Sequence, residues 1–206
     1  MTKKQRAKII IDELEKLYVE VPIPLDHISP FELLVAVALS AQTTDKKVNQ
    51  ISPKLFEVAG DAFRMNLLEE AEIKLLIKEI GLSNTKAKNL KKMAELLIER
   101  HNGEVPQTFE ELEALPGIGH KTASVVMSQS FGVAAFPVDT HIHRLLKQWK
   151  ITEGKNVIQT EEDAKKIFPE NLWNKLHLQI IFYGREYSPA RGKGEKDFLT
   201  KMLFDK

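Results

Sequence analysis

The amino-acid sequence predicts an all-α protein, and three observations carry the prediction. Apolar residues recur at three- and four-residue spacing, as in Ile10, Leu14 and Leu17. No segment alternates apolar and polar residues with the period of two that a half-buried strand requires. Helix-start chemistry (Ser29 before Pro30, Thr108 three residues before Glu111, Asp139 before Thr140) and glycines at the far ends punctuate the chain.

The elements follow in order. Residues 4–18 read as an amphipathic helix, ended by Pro22 and Pro24, which mark a linker. Ser29 is a predicted N-cap with Pro30 at the first helical position and Glu32 at the third, opening a helix over 30–41. Its run from Phe31 to Ala41 is almost wholly apolar but too short to span a bilayer, so it reads as buried. Asp45 to Gly60 is predicted helical with Val48, Ile51 and Leu55 inward and a bend at Pro53. Short helices are expected at 61–67 and 69–80, the second closed by Gly81 as a left-handed C′ residue. A longer helix is expected from a cap at Thr85 to His101, closed by Gly103. Beyond the stretch 108–131, taken up below, helices are expected at 140–149, 161–167, 171–187 and 195–204.

Composition narrows the function classes. Of 206 residues, 43% are hydrophobic and 29% charged, ordinary for a globular chain able to bury a sizeable core. The formal charge is only +1, so a nucleic-acid face has to be a local segregation of charge. Cysteine is absent, which excludes disulfides, thiolate nucleophiles and cysteine-ligated metal. The N-terminus lacks the long apolar core of a secretory signal, and the absence of cysteine is compatible with a reducing cytoplasm, so a cytoplasmic protein with no membrane partner is expected.

The stretch Leu115-Pro116-Gly117-Ile118-Gly119-His120-Lys121 carries the chemistry. Pro116 presets φ for a tight turn, and two glycines one residue apart permit angles and approaches that a Cβ forbids. Backbone amides at the start of the following helix favour an anion there. A helix-to-helix connector of the ordinary kind has the same composition; the flanks decide. Thr108-Phe109-Glu110-Glu111 fits a capping box opening a short helix before the turn, and Thr122 to Phe131 supplies a helix after it. Helix, glycine hairpin and helix form a unit suited to gripping a DNA backbone without reading sequence. Asp139 follows in Pro137-Val138-Asp139-Thr140-His141.

Leu115 to Lys121 together with Val138 to His141 resembles the helix-hairpin-helix DNA glycosylase superfamily, specifically its endonuclease III branch. Ser29-Pro-Phe-Glu-Leu-Leu34, Leu39-Ser-Ala-Gln-Thr-Thr-Asp45, Ile80-Gly-Leu82 and His101-Asn-Gly-Glu-Val-Pro106 match the same branch in the same order, so the resemblance covers about residues 25–187. It implies two helical lobes with the active site in the cleft between them. Residues 23–134 would form a six-helix lobe with the hairpin motif at about 108–131, and 1–22 with 135–206 the second lobe.

By that resemblance the chain is a bifunctional DNA N-glycosylase and AP lyase of base excision repair. It would act on double-stranded DNA carrying damaged bases, oxidised pyrimidines above all, or abasic sites, as a monomer. Oxidised or alkylated purines, and a non-catalytic hairpin DNA-binding module, are the competing readings. Lys121 becomes the Schiff-base nucleophile, although a helix-start lysine is more often just solvated. An amine attacks only when unprotonated, so burial and the positive end of its helix are expected to favour the neutral form. Asp139 is at once a good N-cap and, by resemblance, the carboxylate that stabilises the cationic sugar-like transition state. A base inside a duplex is out of reach, so the nucleotide must be flipped out; the resemblance puts Gln42 and Leu82 in the vacated stack and Ser40 and Asp45 at the base pocket. Pro116, Gly117, Ile118, Gly119, His120 and His141 would contact the DNA backbone, as would Lys86 to Lys92, Arg191 and Lys193. The carbonyls of Glu113, Leu115 and Ile118 would ligate a monovalent cation.

The chain departs from that branch at its C-terminus. The branch carries an iron–sulfur cluster held by four cysteines, and here Ser188 stands where the first would fall. No cofactor is therefore expected to be required, and apolar packing of the 195–204 helix is expected to replace the metal staple.

Overall fold

The computed structural model describes residues 1–190 and 196–204; Arg191 and Lys193 lie outside the described residues. Among the described residues every regular element is helical, and no helix is long and apolar enough to cross a membrane. The chain divides into two units, Ile23–Gly132 (the central unit) and Met1–Pro22 with Val133–Lys206 (the terminal unit).

In the central unit, α2 (Pro30–Ser40) starts as its capping signature dictates: Ser29 Oγ accepts the Glu32 amide at 3.1 Å, and the Glu32 carboxylate accepts the Ile28 amide at 2.8 Å. Being apolar on every side, α2 is buried on nearly every side, and it packs on α3 (Asp45–Ala59), α6 (Ser83–His101) and α8 (His120–Ser130). Thr44 caps α3, which runs on through Pro53. The short helices α4 (Ala62–Leu67) and α5 (Glu70–Leu76) pack on α6, and α7 (Phe109–Glu113) on α8. Leu33, Leu34, Leu39, Leu55, Met65, Ile73, Met93, Leu97 and Val126 form the core.

Two expectations fail here for one local reason. The helix expected over 69–80 stops at Leu76, and the one expected from Thr85 starts at Ser83. Gly81 does not take the left-handed conformation; Leu82 does, at φ +60°, and serves as the N-cap of α6 without a side-chain cap bond. At the other end of α6, Asn102 and Gly103 are both left-handed, and the Gly103 amide donates to the Leu97 carbonyl at 2.9 Å.

The terminal unit is built from α1 (Lys3–Leu17), α9 (Thr140–Gln148), α10 (Val157–Ile167), a 3-10 turn (Glu170–Leu172), α11 (Trp173–Glu186) and α12 (Phe198–Phe204). Its own core holds Ile10, Leu14, Phe136, Leu145, Trp149, Ile180 and Tyr183, closed by Leu199 and Leu203 from α12. α10 begins four residues before the expected 161 because Asn156 caps it, accepting the Gln159 amide at 2.8 Å. α9 and α11 approach at Gly184, where a Cβ would come within 3.1 Å of Leu145 and His141 side-chain atoms.

Candidate functional site

The hairpin of the central unit is a turn held from inside. Leu115 and Ile118 are buried, and the Ile118 amide donates to the Leu115 carbonyl at 3.1 Å. Gly117 is left-handed at φ +79°, and a Cβ there would come 2.7 Å from the Asn89 amide nitrogen of α6. Gly119 faces open space: nothing lies within 4 Å of where its Cβ would be. It is the N-cap of α8 and offers no side chain to the first turn, so that turn begins without the usual oxygen acceptor. His120 is held by Glu113, Nδ1 to Oε1 at 2.7 Å, and stacks on Phe109. Glu113, Leu115 and Ile118 are thus gathered in one turn, with the Leu115 oxygen keeping a second lone pair beyond its turn bond.

Lys121 stands in the first turn of α8 and is exposed. The burial expected for it is not found, because the hairpin's apolar residues, Leu115 and Ile118, turn inward while the residues after Gly119 turn out.

Gln42 and Leu82 are brought together in the same unit. Gln42 is exposed and left-handed at φ +57°; Leu82 is 57% exposed at φ +60°. A Cβ on Gly81 would lie 3.7 Å from the Gln42 carbonyl oxygen. Left-handed φ at two non-glycine residues costs about 1 kcal/mol or more apiece and persists only where the surroundings impose it. Ser40 Oγ donates to the Val37 carbonyl at 2.8 Å, and Asp45 opens α3.

Lys86 does not join a phosphate-facing surface as expected. It is 8% exposed, and its Nζ donates to the Leu39 carbonyl at 2.9 Å, the Ala41 carbonyl at 2.7 Å and Thr43 Oγ1 at 3.2 Å. Lys92 is paired with Glu95, and Lys91 donates to the Asn66 carbonyl.

In the terminal unit, Asp139 caps α9: Oδ1 accepts the Ile142 amide at 2.8 Å, and the carboxylate is only partly covered. One oxygen is spent on the cap. His141, one residue into α9, lies against Gly184 of α11, which makes it part of the helix–helix packing. His143 Nδ1 meets Thr160 Oγ1 at 2.8 Å and ties α9 to α10.

The C-terminal stretch does not fit an iron–sulfur cluster. There is no cysteine, and Ser188 is buried in a polar knot: Arg144 donates to its Oγ at 3.1 Å and to its carbonyl, and its hydroxyl hydrogen-bonds Asp197. Asp197 is 3% exposed. Its Oδ1 accepts Tyr183 Oη at 2.7 Å and the Thr200 amide at 3.1 Å; its Oδ2 accepts Gln148 Nε2 at 2.8 Å and Thr200 Oγ1 at 3.0 Å. Burial pushes the carboxyl pKa up, but the hydrogen bonds from Tyr183, Thr200 and Ser188 outweigh it and hold Asp197 below the usual aspartate value. The helix expected from 195 starts at Phe198, and the polar bonds of Asp197 and Thr200 join the apolar packing of Leu199 and Leu203 in holding it.

Sequence reasoning misses Asn89 and Asp197, and it puts Lys86 on a phosphate-facing helix surface instead of in a socket. A lysine four residues into an amphipathic helix carries no sign of burial, and only the end of the apolar helix near Leu39–Ala41 hints that its last carbonyls need donors. Asp197, three residues before Thr200, has the spacing of a helix cap, a signal that was there to be read.

Residues 35–170 match the family model described as HhH-GPD superfamily base excision DNA repair protein. Endonuclease III of Escherichia coli (strain K12) is 44% identical over 194 residues, covering 93% of this chain and 90% of the relative. Endonuclease III of Bacillus subtilis (strain 168) is 38% identical, covering 93% and 88%. The solved structure of a trapped endonuclease III–DNA covalent intermediate superposes with a TM-score of 0.89 at 39% identity, covering 93% of this chain and 91% of that one. The chain belongs to the HhH-GPD superfamily of base excision DNA repair proteins, in its endonuclease III branch.

Proposed function

We propose that this chain is a DNA N-glycosylase with AP lyase activity, acting in base excision repair on double-stranded DNA that carries oxidised pyrimidines or abasic sites. The observation that carries the reading is Lys121 itself. It is an exposed amine in the first turn of an uncapped helix that leaves a glycine hairpin, in a chain 39% identical to a protein trapped as a covalent intermediate with DNA.

In this reading the hairpin amides around Gly119 receive a phosphate, with Pro116, Gly117, Ile118 and His120 shaping the turn. The carbonyls of Glu113, Leu115 and Ile118 would hold a monovalent cation beside that phosphate. Gln42 and Leu82 occupy the stack that the flipped nucleotide leaves, and Ser40 and Asp45 border the base. Lys121 Nζ attacks C1′ and the glycosidic bond breaks, the base leaving with its electron pair; the C1′–O4′ bond then opens, the two amine protons pass to the base and to O4′, and the sugar is left joined to the lysine as an imine. The imine acidifies the C2′ proton, whose loss expels the 3′ phosphate. Asp139 presents its uncapped oxygen to the positive charge that develops on the sugar. His141 supports α9 from behind, a packing role. Arg191 and Lys193 add phosphate contacts from the C-terminal stretch.

The test is strand cleavage across a panel of duplexes bearing an oxidised pyrimidine, an oxidised purine, an alkylated purine or an abasic site. Cleavage at the oxidised pyrimidine and the abasic site, with little at the purines, is expected. Binding without cleavage on the whole panel would leave only a DNA-binding module.

A further inference from the structure

Gln42 and Leu82 lie on separate loops, yet both hold strained left-handed backbone without the help of glycine. Such backbone persists only where the surroundings impose it. The loop of Gln42 connects α2 to α3, and Leu82 is the N-cap of α6. Lys86 touches both, the Gln42 loop through its side chain and the Leu82 carbonyl through its backbone amide, so its ammonium ties that loop to the helix turn that Leu82 caps. Lys86 sits one turn into α6, and its amide donates to the Leu82 carbonyl at 3.0 Å. Its ammonium reaches across to the carbonyl of Ala41, the residue before Gln42, and to the hydroxyl of Thr43, the residue after it, with the third N–H on Leu39 at the end of α2. All three donors of the ammonium are thereby spent, on one helix terminus and both neighbours of Gln42. A cation at the C-terminal end of α2 is also favoured by the helix dipole.

The socket is continuous with the hairpin. A small cavity of about 20 Å³ is lined by Ala38, Leu39, Lys86, Asn89, Pro116 and Gly117, so this face of α6 backs the Gln42 loop and the phosphate turn together. Burial lowers the lysine's pKa, as expected of an ammonium held by neutral acceptors alone.

We propose that Lys86 is a positioning residue for base extrusion, locking Gln42 and Leu82 into one preorganised pair that enters the DNA stack at fixed spacing. This rests on the glycosylase reading above. Without the lock, the two loops would have to be ordered at the moment of extrusion, and a paired base would feel that cost while an unpaired one would not.

The experiment is single-turnover excision of an oxidised pyrimidine by the full-length protein, once in duplex and once in single-stranded DNA. A 2-aminopurine beside the lesion serves as an independent fluorescence probe of unstacking. Lys86→Met keeps the stem and removes the donors; the ratio of duplex to single-strand rates should fall about tenfold, and the fluorescence rise on binding duplex should shrink. In a Gln42→Ala, Leu82→Ala background the same substitution should change the ratio less than twofold, since its effect passes through those two residues. Thr43→Val, which removes one of the three acceptors, should give the same signature more weakly if Lys86→Met does not fold. An equal fall on both substrates, or an unchanged ratio, overturns the proposal. If the wild-type protein excises neither substrate, the glycosylase reading fails instead, and the fluorescence response of wild type against Lys86→Met still decides the role of Lys86.

Discussion

Replacing Asp197 by asparagine probes what holds the C-terminal segment in a chain without cluster cysteines. The substitution keeps shape and volume but turns one acceptor oxygen into a donor. With the asparagine oxygen kept toward Tyr183 Oη and the Thr200 amide, its NH₂ group faces the Gln148 Nε2 hydrogen that Oδ2 accepted, and that donor hydrogen loses its acceptor while Gln148 keeps its other bond, to Thr200 Oγ1. Stranding that donor costs about 1–3 kcal/mol, and replacing two charge-assisted hydrogen bonds by neutral ones costs about 1 kcal/mol more. A total near 3 kcal/mol is a large part of the roughly 5–15 kcal/mol that holds a typical domain together, and corresponds to about 6–12 °C in melting temperature for a chain of this size. The assay is urea unfolding followed by tryptophan fluorescence. Both tryptophans, Trp149 and Trp173, lie in the terminal unit, and Trp149 Nε1 donates to Thr200 beside Asp197, so the signal reports the unit concerned. The sign of the pH effect follows from the depressed folded pKa. The carboxylate's contribution is full above the ordinary aspartate value of about 3.9 and is lost as the pH falls through the lower folded value, so the gap between wild type and Asp197→Asn should close in acid. A gap under about 0.5 kcal/mol at neutral pH, or one that stays constant into acid, would refute the polar-knot explanation.

Two further outcomes are expected. Asp139→Asn retains an N-cap for α9 but removes the charge, so turnover should fall by about 10²-fold or more while stability changes by well under 1 kcal/mol; a large melting-temperature loss with near-normal turnover would mean that the cap is its whole role. The slope of log affinity against log salt should be shallow, on the order of 3–5 phosphates, because the net charge is +1 and Lys86 and Lys92 are committed within the protein; a slope near −10 on duplex DNA would contradict local binding.

The parts of the fold that were legible in the sequence are those decided within one turn of chain. Ser29, Thr108 and Asp139 announce helix starts because a side-chain oxygen three residues ahead of an amide is sufficient chemistry. The apolar residues of α2 predict its burial for the same local reason. Leu82 shows the limit: nothing in leucine marks a left-handed N-cap, and Gly81 beside it draws the prediction to the wrong residue. The Lys86 socket joins residues more than 40 positions apart, and the Asp197 knot reaches back to Gln148, so neither leaves a periodic trace. For the candidate site, Lys121 and the glycine hairpin are visible as a motif, whereas the exposure of Lys121 depends on which way the hairpin's apolar residues turn.

The central claim is that Lys121 forms the covalent bond to DNA, and borohydride trapping on a duplex containing an abasic site tests it most directly. Reduction fixes an imine as a stable amine, so the wild-type protein should migrate as a protein–DNA adduct. Lys121→Gln should give no adduct and no strand cleavage while still binding the duplex, since the hairpin backbone proposed to receive the phosphate is untouched. Efficient trapping by Lys121→Gln, or none by the wild type, would contradict the assignment.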